Sequence, residues 1–195
     1  MYHMEREFGQ EKGASMDYFT SDLHFGSVDV AQLSNRPFDS ILDMNECIIR
    51  NWNERVKPDD KVYIIGDFMN RAETNPEHYL SQLPGRKHLI IGNHDHGWTQ
   101  RIDVDEWFEA VEYMTEILSG GHLITLCHYP LMEWHGGRHG AFLIHGHLHD
   151  RRDAPFWPLL QRYKTALNAG VDINGFAPVT FGELVENNRR WKQMD

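Results

Sequence analysis

Residues 89–95 read LIIGNHD, an apolar run that passes directly into a polar cluster. A continuous run of aliphatic and β-branched side chains is typical of a buried strand. The cluster behind it carries amide, imidazole and carboxylate groups. We therefore expect a strand whose carboxyl end delivers chemically active side chains to a site.

The same pattern occurs four more times along the chain. A short apolar run ends in polar residues at residues 18–24 (YFTSDLH), 62–67 (VYIIGD), 123–128 (LITLCH) and 142–149 (FLIHGHLH). Loops at the carboxyl ends of strands build the binding sites of open α/β sheets. The repetition therefore predicts one site assembled from several strand ends.

Helical patterns lie between these runs. Residues 38–56 carry apolar side chains at helical spacing, and Asn75-Pro76 is typical of a helix start that Pro84-Gly85 stops. Residues 180–183 (TFGE) form a capping box that opens a final helix, and residues 119–121 (SGG) predict a hairpin turn. Because strands and helices are mixed in this way, the fold class is α/β or α+β, with layers of both.

Composition limits the classes of function. The chain has 195 residues, of which 41% are hydrophobic and 25% charged, and this suits a globular fold. Its net charge of −10 argues against an extended nucleic-acid-binding face. No apolar stretch approaches the roughly 18 residues of a membrane span. Two cysteines are too few for a disulfide framework and predict reduced thiols in a cytoplasmic protein.

The domain organisation predicted from composition is simple. Residues 1–15 are polar, lack periodicity and do not resemble a secretory signal, so we expect a flexible N-terminal extension. Residues 16–195 contain no repeat or linker and are expected to form a single domain. The sequence predicts no particular oligomeric state.

The polar clusters hold donors that metal ions prefer. Carboxylate, amide and imidazole groups, with hardly any thiol among them, suit Mn²⁺, Fe or Zn²⁺ better than a thiolate-rich zinc site. Alternate residues of a strand point the same way, so we expect Asp22 and His24 to face one ion together. The same is expected of His147 and His149 if that stretch is extended. A glycine precedes several of these residues and allows close approach of the backbone.

Taken in order between Tyr18 and His149, the motifs D-x-H, G-D, G-N-H-D, H and G-H-x-H resemble those of the calcineurin-like metallophosphoesterase superfamily. Within it, the chain is similar to the small bacterial and phage phosphoesterases that lack a cap domain. The resemblance implies a four-layer α/β/β/α sandwich of two mixed sheets. It also implies two divalent metal ions, with Mn²⁺ favoured and Fe, Zn²⁺ or Ni²⁺ compatible.

The resemblance also implies a role for each matching residue. The first ion would be bound by Asp22, His24, Asp67 and His149. The second would be bound by Asp67, Asn93, His128 and His147, so that Asp67 bridges the two. His94 would act on the substrate as a general acid, and Asp95 would orient His94.

One motif departs from a branch of the superfamily. Phosphoprotein phosphatases carry G-D-x-x-D-R-G, whereas this chain has Asn70 and Ala72 at the last Asp and the last Gly. This difference argues against a protein phosphatase, and it leaves Arg71 as a candidate phosphate contact.

The implied activity is hydrolysis of a phosphate ester. A hydroxide bridging the two ions would attack phosphorus, and His94 would protonate the leaving oxygen. Two ions, one hydroxide, Asp22 and Asp67 sum to a formal charge of about +1, which favours an anionic substrate such as a nucleotide. Without a cap the metal face is open, which favours phosphodiesters over the nearest alternative, phosphomonoesters.

Two other classes of function are weighed against this one. Some members of the superfamily are interaction proteins with a degraded site, but His94 and every expected ligand are present here. A fold of the metallo-β-lactamase kind would require an H-x-H-x-D-H run, which the chain lacks. The sequence therefore favours a metal-dependent phosphoesterase over an inactive scaffold protein.

Overall fold

The computed structural model describes residues 15–27, 29, 35–70 and 75–194. The predicted N-terminal extension lies outside these residues except for Ser15, and so does Arg71. Nine strands in two sheets and five short helices are found within the described part of the chain.

The first sheet has five strands. They are β1 (Asp17–Thr20), β2 (Lys61–Ile64), β3 (Arg86–Ile90), β4 (Phe108–Glu112) and β9 (Val179–Thr180). Their order in the sheet is β4-β3-β2-β1-β9, with β1 to β4 mutually parallel and β9 antiparallel to β1. The carboxyl ends of β1, β2 and β3 therefore meet at one edge of this mixed sheet.

The second sheet has four strands, in the order β5-β6-β7-β8. They are β5 (Met114–Ser119), β6 (His122–Cys127), β7 (Phe142–His145) and β8 (Ala166–Asn168). The antiparallel pair β5 and β6 is joined at Gly120 and Gly121, whose φ angles of 56° and 81° suit glycine, so the predicted hairpin is confirmed. Strands β6, β7 and β8 are parallel, so this sheet is mixed as well.

The helices are α1 (Ile41–Arg55), α2 (Pro76–Leu80), α3 (His96–Thr99), α4 (Trp157–Leu160) and α5 (Phe181–Gln193). Single 3-10 turns are formed by Val104–Glu106, Gly137–His139 and Val171–Ile173. No helix among the described residues has both the length and the apolar character needed to cross a membrane.

Helix boundaries differ from the predicted ones at two places. Helix α1 begins at Ile41 rather than at Phe38, because the Ser40 side chain accepts a hydrogen bond from the Asp43 amide and caps the helix there. Helix α2 starts as predicted, with Asn75 as its cap, but it ends at Leu80, before Pro84 is reached. The capping box of α5 is confirmed, since Glu183 accepts a hydrogen bond from the Thr180 amide at 2.8 Å.

Three buried clusters define four layers, which confirms the predicted sandwich. Alternate residues of β1, β2 and β3 pack against α1 and α2 on one face, as Ile64 does with Ile48 and Trp52 in the first cluster. The residues on the opposite face of these strands, such as Phe19 and Tyr63, pack against the second sheet. The outer face of the second sheet is covered by α4, by Trp134 and by Trp191 of α5.

Candidate metal centre

All seven predicted ligands follow the carboxyl ends of parallel strands. Asp22 and His24 follow β1, Asp67 follows β2, Asn93 follows β3, His128 follows β6, and His147 and His149 follow β7. Parallel strands bring their carboxyl ends to the same edge of each sheet. The structure therefore brings residues from 22 to 149 into one cluster at the ends of the two sheets.

One group of donor atoms is formed by Asp22, His24 and His149. Their ligand atoms lie within 4.8 Å of one another. The Nε2 atoms of His24 and His149 lie 4.0 and 3.9 Å from Asp22 Oδ1. Asp22 and His24 are buried. Three donors converging on one point in this way could hold a metal ion.

A second group is formed by Asp67, His128 and His147, again within 4.8 Å. His128 Nε2 lies 3.4 Å from Asp67 Oδ2. Asn93 joins this group, with its Oδ1 atom 3.1 Å from His128 Nε2 and 3.0 Å from His147 Nδ1. Asp67 also faces the first group, because its Oδ2 atom lies 3.6 Å from His24 Nε2. Its carboxylate therefore stands between the two groups.

The backbone holds five of these residues in a conformation that L-amino acids avoid. Positive φ angles, between 53° and 70°, are found at Asp22, His24, Asp67, His147 and His149. Among the described residues only two other non-glycine positions, Asn35 and Phe176, share this feature. For each such residue the left-handed conformation is less favourable by about 1–2 kcal/mol. Backbone strain of this kind is often found at functional sites.

This backbone geometry corrects the strand-based expectation. Asp22 and His24 do come together, but beyond the end of β1 and in left-handed rather than extended conformation. His147 and His149 are not extended either, and they fall into different groups. Because left-handed residues alternate with others in these loops, the two-residue period of a strand is not kept and alternate residues need not share a face.

Glycines allow the close packing of these loops. A Cβ atom on Gly146 would collide with the Ser21 hydroxyl and lie 2.7 Å from Asp22 Oδ2. One on Gly92 would collide with Asp67 Oδ1 and lie 2.7 Å from the Asp67 amide nitrogen. The predicted close approach of the backbone is confirmed at both positions.

The donors fit divalent metal ions. Both ring nitrogens of His24 are buried and have no hydrogen-bond partner, and burial lowers the pKa of this imidazole well below its ordinary value. Burial, together with nearby His128, also lowers the pKa of His147. Metal ions bind neutral imidazole, so the protonation state of both rings suits ligation. An unpartnered buried nitrogen is otherwise unfavourable by about 1–3 kcal/mol.

Asp67 and His128 form the charged pair of the site. Burial alone would raise the pKa of Asp67, but the hydrogen bond and charge of His128 lower it to about 2. Burial alone would lower the pKa of His128, but Asp67 and Asp22 raise it to about 9. A metal ion at this group would therefore replace a proton on His128.

Asp95 holds the loops that carry the site. This buried carboxylate accepts hydrogen bonds from the amides of Asp67 and Gly92, both at 2.7 Å, and from the amide of Phe68 and the indole of Trp98. Within the described residues, no hydrogen bond joins it to His94. Asp95 therefore supports the loops around Asp67 and Gly92, and its orientation of His94 stays a prediction.

His94 lies at the edge of the cluster. Its amide donates to Asp67 Oδ1 at 2.9 Å, and its Nε2 atom lies 4.0 Å from Asp67 Oδ2. The ring packs edge-on to His24 with centroids 5.3 Å apart, and 37% of the side chain is exposed. His94 is thus near both donor groups and still accessible to a bound molecule.

Sequence reasoning missed two residues that contact the first donor group. Asp172 Oδ2 lies 3.0 Å from His149 Nδ1, and Arg36 donates to both carboxylate oxygens of Asp172 at 2.8 and 3.0 Å. Arg36 also donates to the carbonyl of Asp22 at 2.6 Å. Neither residue stands in a motif, and the two are 136 positions apart in the sequence. Only the fold brings them together.

Comparison with known proteins finds relatives of unknown function. No family model matches the chain. The uncharacterized protein MJ1445 of Methanocaldococcus jannaschii is 30% identical over 172 residues, which cover 87% of this chain and 89% of that protein. The solved structure of AQ665 from Aquifex aeolicus, a protein of unknown function, is 28% identical with a TM-score of 0.69, over 89% of this chain and 99% of that one.

A more distant solved structure carries a functional name. YfcE, a phosphoesterase from E. coli, shares 16% identity with a TM-score of 0.37, over 79% of this chain and 77% of that one. The four-layer fold brings the residues of the motif series into two groups of candidate metal ligands, and Asp67 of the second group lies 3.6 Å from His24 of the first. The archaeal relative shows that the chain belongs to the same family as MJ1445. The motifs of the chain resemble those of the calcineurin-like metallophosphoesterases.

Proposed function

We propose that the protein hydrolyses phosphate esters, with diesters preferred, at a centre of two divalent metal ions. The observation that carries the proposal is the pair of donor groups Asp22, His24, His149 and Asp67, His128, His147, joined through Asp67. The unpartnered nitrogens of His24 support it independently. Asn93 completes the second group, as the family pattern implies.

The chain and the ions would divide the chemistry between them. When bound, two such ions supply a water of lowered pKa and neutralise charge on the phosphate oxygens. The protein's own task is to fix the donors, which the buried Asp95 and Asp172 support through hydrogen bonds. The donor set of oxygen and imidazole nitrogen favours Mn²⁺, with Fe, Zn²⁺ or Ni²⁺ compatible.

His94 is proposed as the general acid. As water oxygen bonds to phosphorus, the bond to the leaving oxygen breaks, and that oxygen takes a proton from the His94 ring. The accessible position of this ring beside Asp67 supports the role. Such proton donation contributes roughly 10²–10⁴-fold to a rate.

The preference for diesters is supported by two clefts that border the centre. His147 lines one of them, and Asn93 and His94 line the other. A phosphodiester carries two organic groups on its phosphorus, and each cleft offers space for one. A monoester would use only one.

Hydrolysis of two chromogenic esters tests the proposal. The protein is stripped of metal with a chelator and then given Mn²⁺, Ni²⁺ or Zn²⁺. We expect Mn²⁺-dependent hydrolysis of bis-p-nitrophenyl phosphate, with less turnover of p-nitrophenyl phosphate. Asp67→Asn, which keeps the side-chain volume but removes the charge shared by both groups, should abolish it.

Each outcome is informative. Preference for the monoester would make the protein a phosphomonoesterase and overturn the diester proposal. Absence of turnover with either ester, in protein shown to bind two ions, would contradict the proposed enzyme and favour the scaffold alternative.

A further inference from the structure

An apolar groove of about 480 Å³ opens beside the metal centre. His147 belongs to both, and the groove continues over Tyr129, Met132, Phe156 and Leu159. Its volume lies within the range of sites for small organic molecules. The proposed function assigns this groove one organic group of a diester and leaves the chemical class of that group open.

Two aromatic rings in this groove are exposed. Tyr129 is 46% exposed and Phe156 is 40% exposed, although both are large and apolar. The Tyr129 ring packs edge-on to His147 and His128, with centroids 4.8 and 5.1 Å apart. Its orientation is therefore fixed by two of the proposed metal ligands, and an exposed aromatic ring held in this way is suited to stacking.

The rim of the groove is charged. Arg151 Nε lies 3.1 Å from Asp153 Oδ1, and both side chains line the groove. Together they offer a planar donor and an acceptor to a bound molecule. A hydrocarbon chain could use neither group, whereas a heteroaromatic ring has both a face to stack and a polar edge.

The second cleft has a different character. It is also about 480 Å³ and is lined by Asn70, Asn93, His94 and Arg101, besides Trp98. Because His94 is the proposed proton donor, the leaving oxygen must lie on this side. The group that stays on phosphorus is then directed to the apolar groove.

We propose that the apolar groove binds the base of a nucleoside phosphate ester, so that the nucleoside is the retained group and the leaving group lies beside His94. This inference rests on the proposed function, whose substrate class it specifies. Tyr129 and Phe156 stack on the base, and Arg151 and Asp153 contact its polar edge. Base stacking on an aromatic ring typically tightens binding by about 5- to 150-fold.

The test compares diesters that share one leaving group. The kcat/KM values for p-nitrophenyl phosphates whose retained group is thymidine (5′-linked), ethyl or octyl are measured with the Mn²⁺-loaded protein. We expect the thymidine ester to exceed the ethyl ester about tenfold or more, and to exceed the octyl ester as well. In Phe156→Ala the thymidine-to-ethyl ratio should fall about tenfold, and in Phe156→Trp, which keeps a ring, it should persist.

A matched control and a contrary result are available. Leu118→Ala removes an equally apolar side chain, 79% exposed on β5, that lines neither cleft, and should leave the ratio unchanged. An octyl ester better than the thymidine ester would mean an acyl-binding groove and would overturn the proposal. So would a ratio that is the same in Phe156→Ala as in the unmodified protein.

A second readout needs no catalysis. Saturation-transfer NMR with AMP and the metal-free protein should show transfer to the base protons, reduced in Phe156→Ala and retained in Phe156→Trp. If no ester is hydrolysed but this transfer is seen, the proposed function fails and the groove assignment stands. If esters are hydrolysed but no transfer to the base is seen, the groove assignment fails alone.

Discussion

Asp172 Oδ2 lies 3.0 Å from His149 Nδ1, on the side of the ring away from the nitrogen that faces Asp22. The contact fixes both the orientation and the tautomer of a proposed ligand, because the nitrogen bonded to the carboxylate carries the proton. Arg36 fixes Asp172 in turn and also contacts the carbonyl of Asp22. One buried ion pair therefore supports two members of the first donor group.

Asp172→Asn should weaken Mn²⁺ binding at the first donor group (Asp22, His24 and His149) and leave Mn²⁺ binding at the second group unchanged. The amide keeps the size of the side chain but loses the charge that holds His149 and Arg36. Loss of such a supporting contact typically lowers metal affinity about 10–100-fold. Equilibrium dialysis with Mn²⁺ should show one weakened site and one unchanged site per chain.

The matched control is Asp59→Asn, an exposed carboxylate outside the site. This substitution should leave the Mn²⁺ affinity of both sites unchanged. Equal weakening of both sites in Asp172→Asn, in a protein that is otherwise folded by circular dichroism, would contradict a local role for Asp172.

His94→Ala should separate chemistry from metal binding. Turnover of bis-p-nitrophenyl phosphate should fall about 10²–10⁴-fold, because the leaving oxygen loses its proton donor. Metal content, measured by elemental analysis, should remain that of the unmodified protein. His139→Ala, an exposed histidine outside both donor groups, should have neither effect. If His94→Ala loses metal instead, His94 is a ligand or a structural residue and not the acid.

Mn²⁺ binding should release protons at pH 7.5. In the metal-free protein Asp67 and Asp22, acting against burial, raise the pKa of His128 to about 9, so this ring is protonated below pH 9. The ion binds only the neutral His128 ring, so about one proton is released for each ion bound there. The affinity for Mn²⁺ must therefore fall as pH decreases. Titration calorimetry in two buffers of different ionisation enthalpy counts the protons, and a count of zero would contradict the proposed ligand.

The same competition sets the acid limit of activity. With Mn²⁺ at limiting concentration, hydrolysis should decline as pH falls below about 9, because His128 then carries the proton that the ion must displace. Activity that stays constant down to pH 5 would mean that the ligands are not histidines.

The sequence and the fold agree most closely where a side chain's role depends on its immediate neighbours. The capping box at Thr180, the turn at Gly120 and the polar clusters after strands depend on local sequence, and all are found. The left-handed backbone of five candidate ligands could not be predicted from the sequence. The intrinsic conformational preference of these residue types disfavours it, and only the surrounding loops impose it. The five are Asp22, His24, Asp67, His147 and His149.

Contacts between residues far apart in the sequence are the second feature that could not be predicted. Arg36 and Asp172 are 136 positions apart, and neither belongs to a recognisable motif. Their contact depends on the 3-10 turn Val171–Ile173 lying beside the end of β1, where the amide of Val171 donates to the carbonyl of Ser21. Such a contact follows from topology and not from periodicity.

Lys192 should make stability depend on pH in the alkaline range. Burial lowers its pKa from 10.5 to about 8, although its Nζ atom donates to the carbonyls of Tyr163 and Ala166 at 2.6 Å. Between pH 8 and 10.5 the unfolded chain binds more protons at this lysine than the folded chain. The unfolding free energy should therefore rise with pH across that interval.

A difference measurement isolates this effect. The unfolding free energy of the unmodified protein minus that of Lys192→Met should increase by about 3 kcal/mol between pH 8 and 10.5. Urea denaturation at several pH values measures it, with the exposed Lys164→Met as the matched control. A difference that does not change with pH would mean that Lys192 stays charged in the fold.

The most direct test of the dinuclear centre is a titration of the metal-free protein with Mn²⁺. Bound metal and the hydrolysis of bis-p-nitrophenyl phosphate are followed in the same sample. We predict two ions per chain, with hydrolysis appearing only as the second ion binds. Full hydrolysis with one ion bound, or in the presence of excess chelator, would contradict a centre built from two donor groups that share Asp67.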